Sequence, residues 1–397
     1  MKIVLHISAD FPDPLVPEKT RAVENLIAEA EGFRHIVYSI NRVSWRSDIA
    51  LFPFAEDRTA VAYGAPPYGI RLAHHLSVVA EAIRIDLESK RVMPDLIHAH
   101  KFSVEGLVAS ELSEKTGIPF VASLWGDTDI KIFETKKMLR PRYKKIAREA
   151  AVLLPPSPWT KEYFQQALAL DPSHFELLPV MTAGEVIIAP KTVGEPRLVS
   201  VFALDSWRRK GLDVLAQAAV LLAKKMPGLT IDVYGRGSPR SLLEASQAIQ
   251  KAGAENCVRL MGPLPHVKVQ QTINRYAAFV MAPRRETYGM VHVEAVLAGV
   301  PILWSKERGV DGLFNGFEIG RRCDPDSAAD VADAIRFLVE NERRLKKSIA
   351  RRQSDGSFRS LRRDGIGKHY IGLLSRLTGK PAPRAASFRP RHMPRVS

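Results

Sequence analysis

Residues 283–301 read PRRETYGMVHVEAVLAGVP, and the order of residue types in this stretch decides the fold. The preceding run Ala277-Ala-Phe-Val-Met-Ala282 has the apolar character and length of a strand, and Pro283 ends it because proline has no N–H for a ladder. A polar loop follows. An apolar helical pattern starts after Gly289 and closes at Gly299 and Pro301. This strand, loop, helix and strand unit is the repeating piece of a parallel sheet covered by helices. A helix that opens after a glycine leaves its first N–H groups unpaired at the positive end of its dipole, so the amides of Thr287, Tyr288, Gly289 and Met290 offer a seat for phosphate. Glu286 lies in the loop and Glu294 lies one to two turns into the helix, so both carboxylates border one bound molecule. Glu294 suits the diol of a ribose, and Glu286 suits a hydroxyl-rich group on the other side of the phosphates. Surface helices are rich in glutamate, but Val293, Ala295, Val296 and Leu297 make the face around Glu294 semi-buried.

The same alternation runs outward in both directions. Candidate strands are Lys2–Ser8, His35–Ile40, Asp95–His100 and Pro119–Leu124, with helices near Thr20–Ala30, Leu76–Ser89 and Val104–Thr116. A second series begins at Arg197, with a helix near Leu212–Lys225, a strand over Leu229–Tyr234 and a turn at Gly235 and Gly237. The expected architecture is α/β, two doubly wound Rossmann-like domains facing a cleft, with ligands beyond the carboxyl ends of the strands. The expected divisions are 1–185, 186–355, a helix in 356–378 that packs back on the first domain, and a basic disordered tail over 379–397.

A chain of 397 residues suits two domains of ordinary size. The apolar run at its start is too short for a secretory signal, and no stretch has the length of a membrane span. Two cysteines, Cys257 and Cys323, form no disulfide framework or zinc spacing, and a cytoplasmic place of work is expected. A net charge of +15 predicts affinity for anions: nucleic acid, a membrane face or a phosphorylated substrate. Residues 131–148 carry eight cations and one acid among Ile132, Phe133, Met138, Leu139, Tyr143 and Ile146. Divided by Pro141 into two short helices, the segment reads either as an anionic-membrane docking face or as a solvated face packed on the sheet.

Glu286 and Glu294, with Tyr288-Gly289 between them and Gly299-x-Pro301 after them, resemble the donor-site motif of family 4 glycosyltransferases. The resemblance covers most of residues 1–377 and is strongest over 197–303. It implies the GT-B fold, with a nucleotide sugar held mainly by the second domain and the acceptor mainly by the first. Lys210-Gly211 resembles the family's lysine-glycine pair, whose lysine contacts the diphosphate. Ala203 stands where the family's partner arginine usually is, so Arg208 and Arg209 are candidates to supply that second cation. Gly235 and Gly237 resemble the glycine-rich turn near the nucleotide, and Met261-Gly262 the segment whose backbone borders the base.

In the first domain Trp125 replaces the family's donor-contacting histidine, and Asp127 becomes the polar contact expected near the reacting centre. The family's glycine pair in the first loop is also absent, so no acceptor contact is carried over. Asp127-Thr128-Asp129 has the form of a manganese motif, and His98 and His100 share a strand face that suits a metal. The cations already serve the diphosphate, so no metal or other cofactor is expected, and the histidines read as a hydrogen-bonded pair with His100 near the cleft. The resemblance implies a retaining enzyme of polysaccharide, glycolipid or lipid-linked glycan synthesis, with nucleotide sugar and glycan acceptor as partners. Two alternatives stand beside it: an epimerase or hydrolase of nucleotide sugars on the same fold, and a basic nucleic-acid-binding protein, which lacks any nucleic-acid motif.

Overall fold

The computed structural model describes residues 1–45, 47–182 and 184–379. The basic tail expected from residue 379 onward therefore lies almost wholly outside the described residues. The first sheet contains β1 (Ile3–Ser8), β2 (Arg34–Val43), β3 (Ala50–Ala55), β4 (Arg58–Gly64), β5 (Leu96–Ala99), β6 (Phe120–Ser123) and β7 (Val152–Leu154). Its order is β3-β4-β2-β1-β5-β6-β7, parallel except for the β3–β4 pair. The second contains β8 (Arg197–Val201), β9 (Thr230–Tyr234), β10 (Val258–Gly262), β11 (Ala278–Val280), β12 (Ile302–Ser305) and β13 (Gly320–Cys323). Its order is β10-β9-β8-β11-β12-β13, parallel throughout.

Chain order reverses between β1 and β5 in one sheet and between β8 and β11 in the other. Loops diverge there and leave a crevice beyond the strand ends. Both central strands are apolar on both faces, as burial under helices on each side requires: Val4, Leu5 and Ile7 of β1 and Leu198 and Val199 of β8 are fully buried.

Three local expectations are corrected. The helix expected over Thr20–Ala30 is confined to Ala22–Ala28, and the one expected from Leu76 begins at Leu72. The antiparallel pair β3–β4 was not anticipated; Pro53 in β3 is accommodated because that strand is the sheet edge. The basic segment does form two helices, Gly126–Thr135 and Arg140–Glu149, but the break falls before Pro141, which sits in the first turn of the second helix. Phe133, Tyr143 and Ile146 join the core of the first domain, while Met138 is exposed. An apolar strip for insertion into a membrane is thus absent from this segment. No helix among the described residues is long and apolar enough to cross a membrane.

The helix Arg363–Leu377 returns to the first sheet. Its Ile366, Tyr370, Leu373 and Leu374 pack with Val4, Leu96, Val121 and Val152. Arg363 also reaches Glu185 (3.1 Å) and Glu29 (3.4 Å).

Candidate active site

Two loops of the second domain cross at its switch point. Arg284 N donates to Arg209 O (3.0 Å) and Arg284 Nη1 to Arg208 O (3.1 Å), tying the loop after β11 to the loop after β8. The crossing is too tight for a side chain at Gly211, where a Cβ would lie 2.1 Å from Ala282 O and φ is +76°. Arg284 is itself fixed by Asp213 and Asp326, each at 2.7 Å. The crossing brings Lys210 and Glu286 into a direct ion pair, with side chains only 15% and 12% exposed. Burial pushes the Glu286 carboxyl up, but the Lys210 ammonium outweighs this and holds it below its usual range.

Gly289 has φ +80°, and a Cβ there would meet His292 Nδ1 at 2.7 Å; from it the helix Met290–Leu297 departs. Lys210, Glu286 and residues 287–291 form one wall of a cavity of about 230 Å³, and Thr20, Ala22, Trp125 and Val180 form the facing wall. The cavity straddles the two domains. Beside it Asp127 of the first domain pairs with Arg285 of the second at 2.7 Å and lies 4.0 Å from Arg209.

A carboxylate, cations and the amides of a helix start, of which Thr287 N donates to Glu286 Oε1 (3.1 Å), surround an interdomain cavity and suit a phosphorylated, hydroxyl-rich ligand, and the comparisons with known proteins agree. Residues 188–354 match the family described as Glycosyl transferases group 1. The chain is 26% identical to a D-inositol 3-phosphate glycosyltransferase of Arthrobacter sp. (strain FB24), over 67% of each chain. It is 22% identical to a glycogen synthase of Mycobacterium tuberculosis, covering 90% of this chain and 92% of that one. The chain is a glycosyltransferase, and its second domain carries the group 1 match. Its two-domain GT-B fold is shared with the sucrose-phosphate synthase of Thermosynechococcus elongatus (TM-score 0.70, 18% identity, 96% of this chain and 100% of that one). The Anabaena protein HepE, solved in complex with UDP, has the same fold (TM-score 0.67, 18% identity, 95% and 100%).

In this glycosyltransferase the residues singled out in the sequence separate into three groups. Lys210, Glu286, Thr287, Tyr288, Gly289 and Met290 line the cavity together with Trp125, and Arg209 and Asp127 stand beside it. Glu294 is buried nearby: Oε1 accepts from Gly184 N (3.2 Å) and lies 3.5 Å from His266 Nε2. The third group lies elsewhere. Arg208 turns outward, 68% exposed, pairs with Glu244 (2.9 Å) and stacks on Trp207 (4.3 Å), so it is not the second cleft cation. Gly235 and Gly237 lack side chains because their own neighbours leave no room: Cβ atoms would meet Phe202 O at 1.8 Å and Leu204 Cβ at 2.8 Å. Met261 and Gly262 end β10 at the sheet edge, Gly262 with φ +78°, and do not line the cavity.

The Asp-x-Asp pair does not converge. Asp129 faces inward and accepts from Trp125 N (2.6 Å), Ser103 N (2.9 Å) and the Ser103 hydroxyl. The histidine pair proves to be part of a larger buried chain in the first domain. His6 Nδ1 lies 3.0 Å from His100 Nε2, His6 Nε2 lies 2.9 Å from His35 Nδ1, and His35 Nε2 donates to Ala30 O (2.8 Å). His98 bonds Tyr370 Oη (2.7 Å) and Ser123 Oγ (2.9 Å). His6, His98 and His100 are also the group among the described residues whose spacing suits a metal. Each ring already has a hydrogen-bond partner, and burial pushes all three down, His98 to about 3. The carbonyl of Ala30 fixes the tautomers along the chain. His35 donates there through Nε2, so His6 donates to His35 and His100 donates to His6.

The sequence missed Arg285, although it lies inside the quoted stretch. It is one of two adjacent arginines, Arg284 and Arg285, and only the fold shows which of them faces Asp127.

Proposed function

We propose that this cleft moves a sugar, with retention at the anomeric carbon, from a nucleoside diphosphate sugar to an acceptor hydroxyl, and does so without a bound metal. The observation that carries this is the Lys210–Glu286 pair at the start of the Met290–Leu297 helix. A cation and a carboxylate nearly out of water neutralise each other, and both then have a reason to exchange partners. An incoming diphosphate takes Lys210 and the amides of 287–290, and Glu286 is released to accept from the sugar hydroxyls. As the bond from C1 to the phosphate oxygen breaks, charge grows on that oxygen, where Lys210, Arg209 and the helix amides stabilise it. The acceptor oxygen bonds to C1 on the face the phosphate leaves, and the acceptor proton passes to the departing phosphate oxygen. Glu294 exchanges its contact with Gly184 N for the ribose diol.

Retention is supported by the likeness to family 4. Because HepE is solved with UDP-glucose as well as UDP, a uridine donor is the first to try. The acceptor class is a growing polysaccharide, glycolipid or lipid-linked glycan, met at the cytoplasmic side. Attachment to an anionic membrane face through 131–148 would be electrostatic only, through Lys131, Lys137, Lys144 and Arg148, and co-sedimentation with anionic but not neutral vesicles checks it.

The decisive experiment incubates the protein with UDP-, GDP- and ADP-sugars in excess chelator, with and without a panel of glycan acceptors. Transfer with retained anomeric configuration is expected. Free sugar released at a rate indifferent to every acceptor would replace transfer by hydrolysis. Activity lost in chelator and restored by manganese would end the metal-free part.

A further inference from the structure

A second cavity, of about 650 Å³, has the Asp127–Arg285 pair in its wall, one residue along the chain from Glu286. Helix periodicity builds it. Asp127, Ile130, Lys131 and Glu134 recur at three- and four-residue steps on the helix Gly126–Thr135, and Trp159, Glu162, Tyr163 and Gln166 do so on the helix Pro158–Leu168. Glu307 and Arg308 of the second domain complete the wall. Trp159 Nε1 donates to Gly309 O (2.7 Å), so the two domains meet at the cavity's edge. Glu307 holds φ +51°, a left-handed backbone for a residue with a side chain, and such strain gathers at ligand sites.

The lining chemistry selects a ligand class. Ile130 is the single aliphatic side chain lining it among the described residues, so a lipid chain finds no wall. Asp127, Glu134, Glu162 and Glu307 outnumber Lys131, Arg285 and Arg308, in a chain of net charge +15, so a polyanion is not favoured. The side chains of Lys131, Glu162 and Glu307 have no ion-pair or hydrogen-bond partner among the described residues. Two aromatic residues beside unpaired carboxylates, a lysine and an amide offer ring faces for C–H groups and acceptors and donors for hydroxyls. The volume lies within the ~300–1,000 Å³ of ordinary ligand pockets, which favour domain interfaces.

We propose that this cavity is a saccharide subsite that holds uncharged sugar units of the acceptor beyond the one that reacts. It rests on the transfer reading above and adds to it where the acceptor chain runs: outward past Asp127 between the two helices.

Saturation-transfer NMR on the full chain tests it with maltotriose, cellotriose and chitotriose as probes, while UDP binding is followed in the same samples. The variant is Glu162→Ala with Glu307→Gly; glycine suits the left-handed backbone at 307, so the pair removes two carboxylates without adding strain. At least one trisaccharide should bind the wild-type protein, and the double variant should bind it at least tenfold more weakly with UDP affinity and thermal midpoint unchanged. Failure of all three to bind, or equal binding by the variant, overturns the subsite. Trisaccharide binding that depends on these carboxylates in a protein that takes no UDP would support the subsite and sink the uridine donor instead.

Discussion

The two switch points that face each other across the cleft are built from opposite materials. The second domain buries charge and balances it, Lys210 against Glu286, with Arg209 and Arg285 gathered on Asp127. The first domain also buries a charge pair, Asp13 with Lys19, but behind its switch point it packs a histidine chain that stays neutral: His6, His98 and His100 are buried and spend ring nitrogens on one another, His35, Tyr370 and Ser123. A balanced pair can open when a stronger anion arrives, whereas a neutral chain has nothing to exchange. The Lys210–Glu286 pair is therefore the responsive element and the histidine chain a frame.

Acid should separate the two. Folding lowers the pKa of His98 from 6.5 to about 3, so above 6.5 both folded and unfolded forms are neutral and nothing is lost. Below 6.5 the unfolded chain binds protons that the folded chain refuses, and stability falls as pH falls. Each such histidine contributes about 1.4 kcal/mol per pH unit through this window. His292 of the second domain, lowered to about 4, adds to the loss. Glu286 is held below its usual 4.5, so its contribution is present above that value and is lost only as pH falls beneath it. Urea unfolding should show a steep loss between about pH 6.5 and 4.5, before the ion pair is touched. A flat profile there would break the contrast.

Lys210→Ala strikes the responsive side. It should cut turnover by about 10²–10³-fold, as removal of one aimed charge stabiliser does. Steady-state kinetics decide it, and an effect confined to the donor's Michaelis constant would make the pair a binding device only. Glu294→Ala should weaken nucleotide-sugar binding by about 2 kcal/mol, the scale of hydrogen bonds to a charged group, and calorimetry on the folded variant checks it. Asp127→Asn should have the smallest effect. Arg285 is 48% exposed, so the stability change should be within about 1 kcal/mol in thermal melts, and a larger one would make this pair a structural strut.

What could be read from the sequence divides along the same line. Local order carried the responsive side: a strand stopped by Pro283, a helix opening after Gly289 and two glutamates in one loop-helix unit were legible before any fold was known. The frame was not, because His6 meets His35 and His100 only through the pairing of β1 with β2 and β5, and nothing local announces that register. Misreadings had a common cause. Arg208, Arg209 and Lys210 are neighbours in sequence but project in different directions from a turn, and counting cations over 131–148 could not show that Phe133, Tyr143 and Ile146 face inward. Gly235 and Gly237 were read as a turn near the nucleotide, and their missing side chains are also what lets the loop after β8 pack against them.

The helix Arg363–Leu377 gives the molecule an order of assembly. Its Tyr370 caps His98, and its Leu373 and Leu374 cover Val4, Leu96 and Val121, so the last helix described completes the unit that the first strand begins. During synthesis the first sheet emerges by residue 154 and must wait some 200 residues for that cover, roughly 10–40 s at ~5–20 residues per second, while the second domain is free to close on its own. The half of the enzyme made first is thus the half that matures last, and a chain cut short before Arg363 would leave the ribosome with a finished second domain and an open first one beside it.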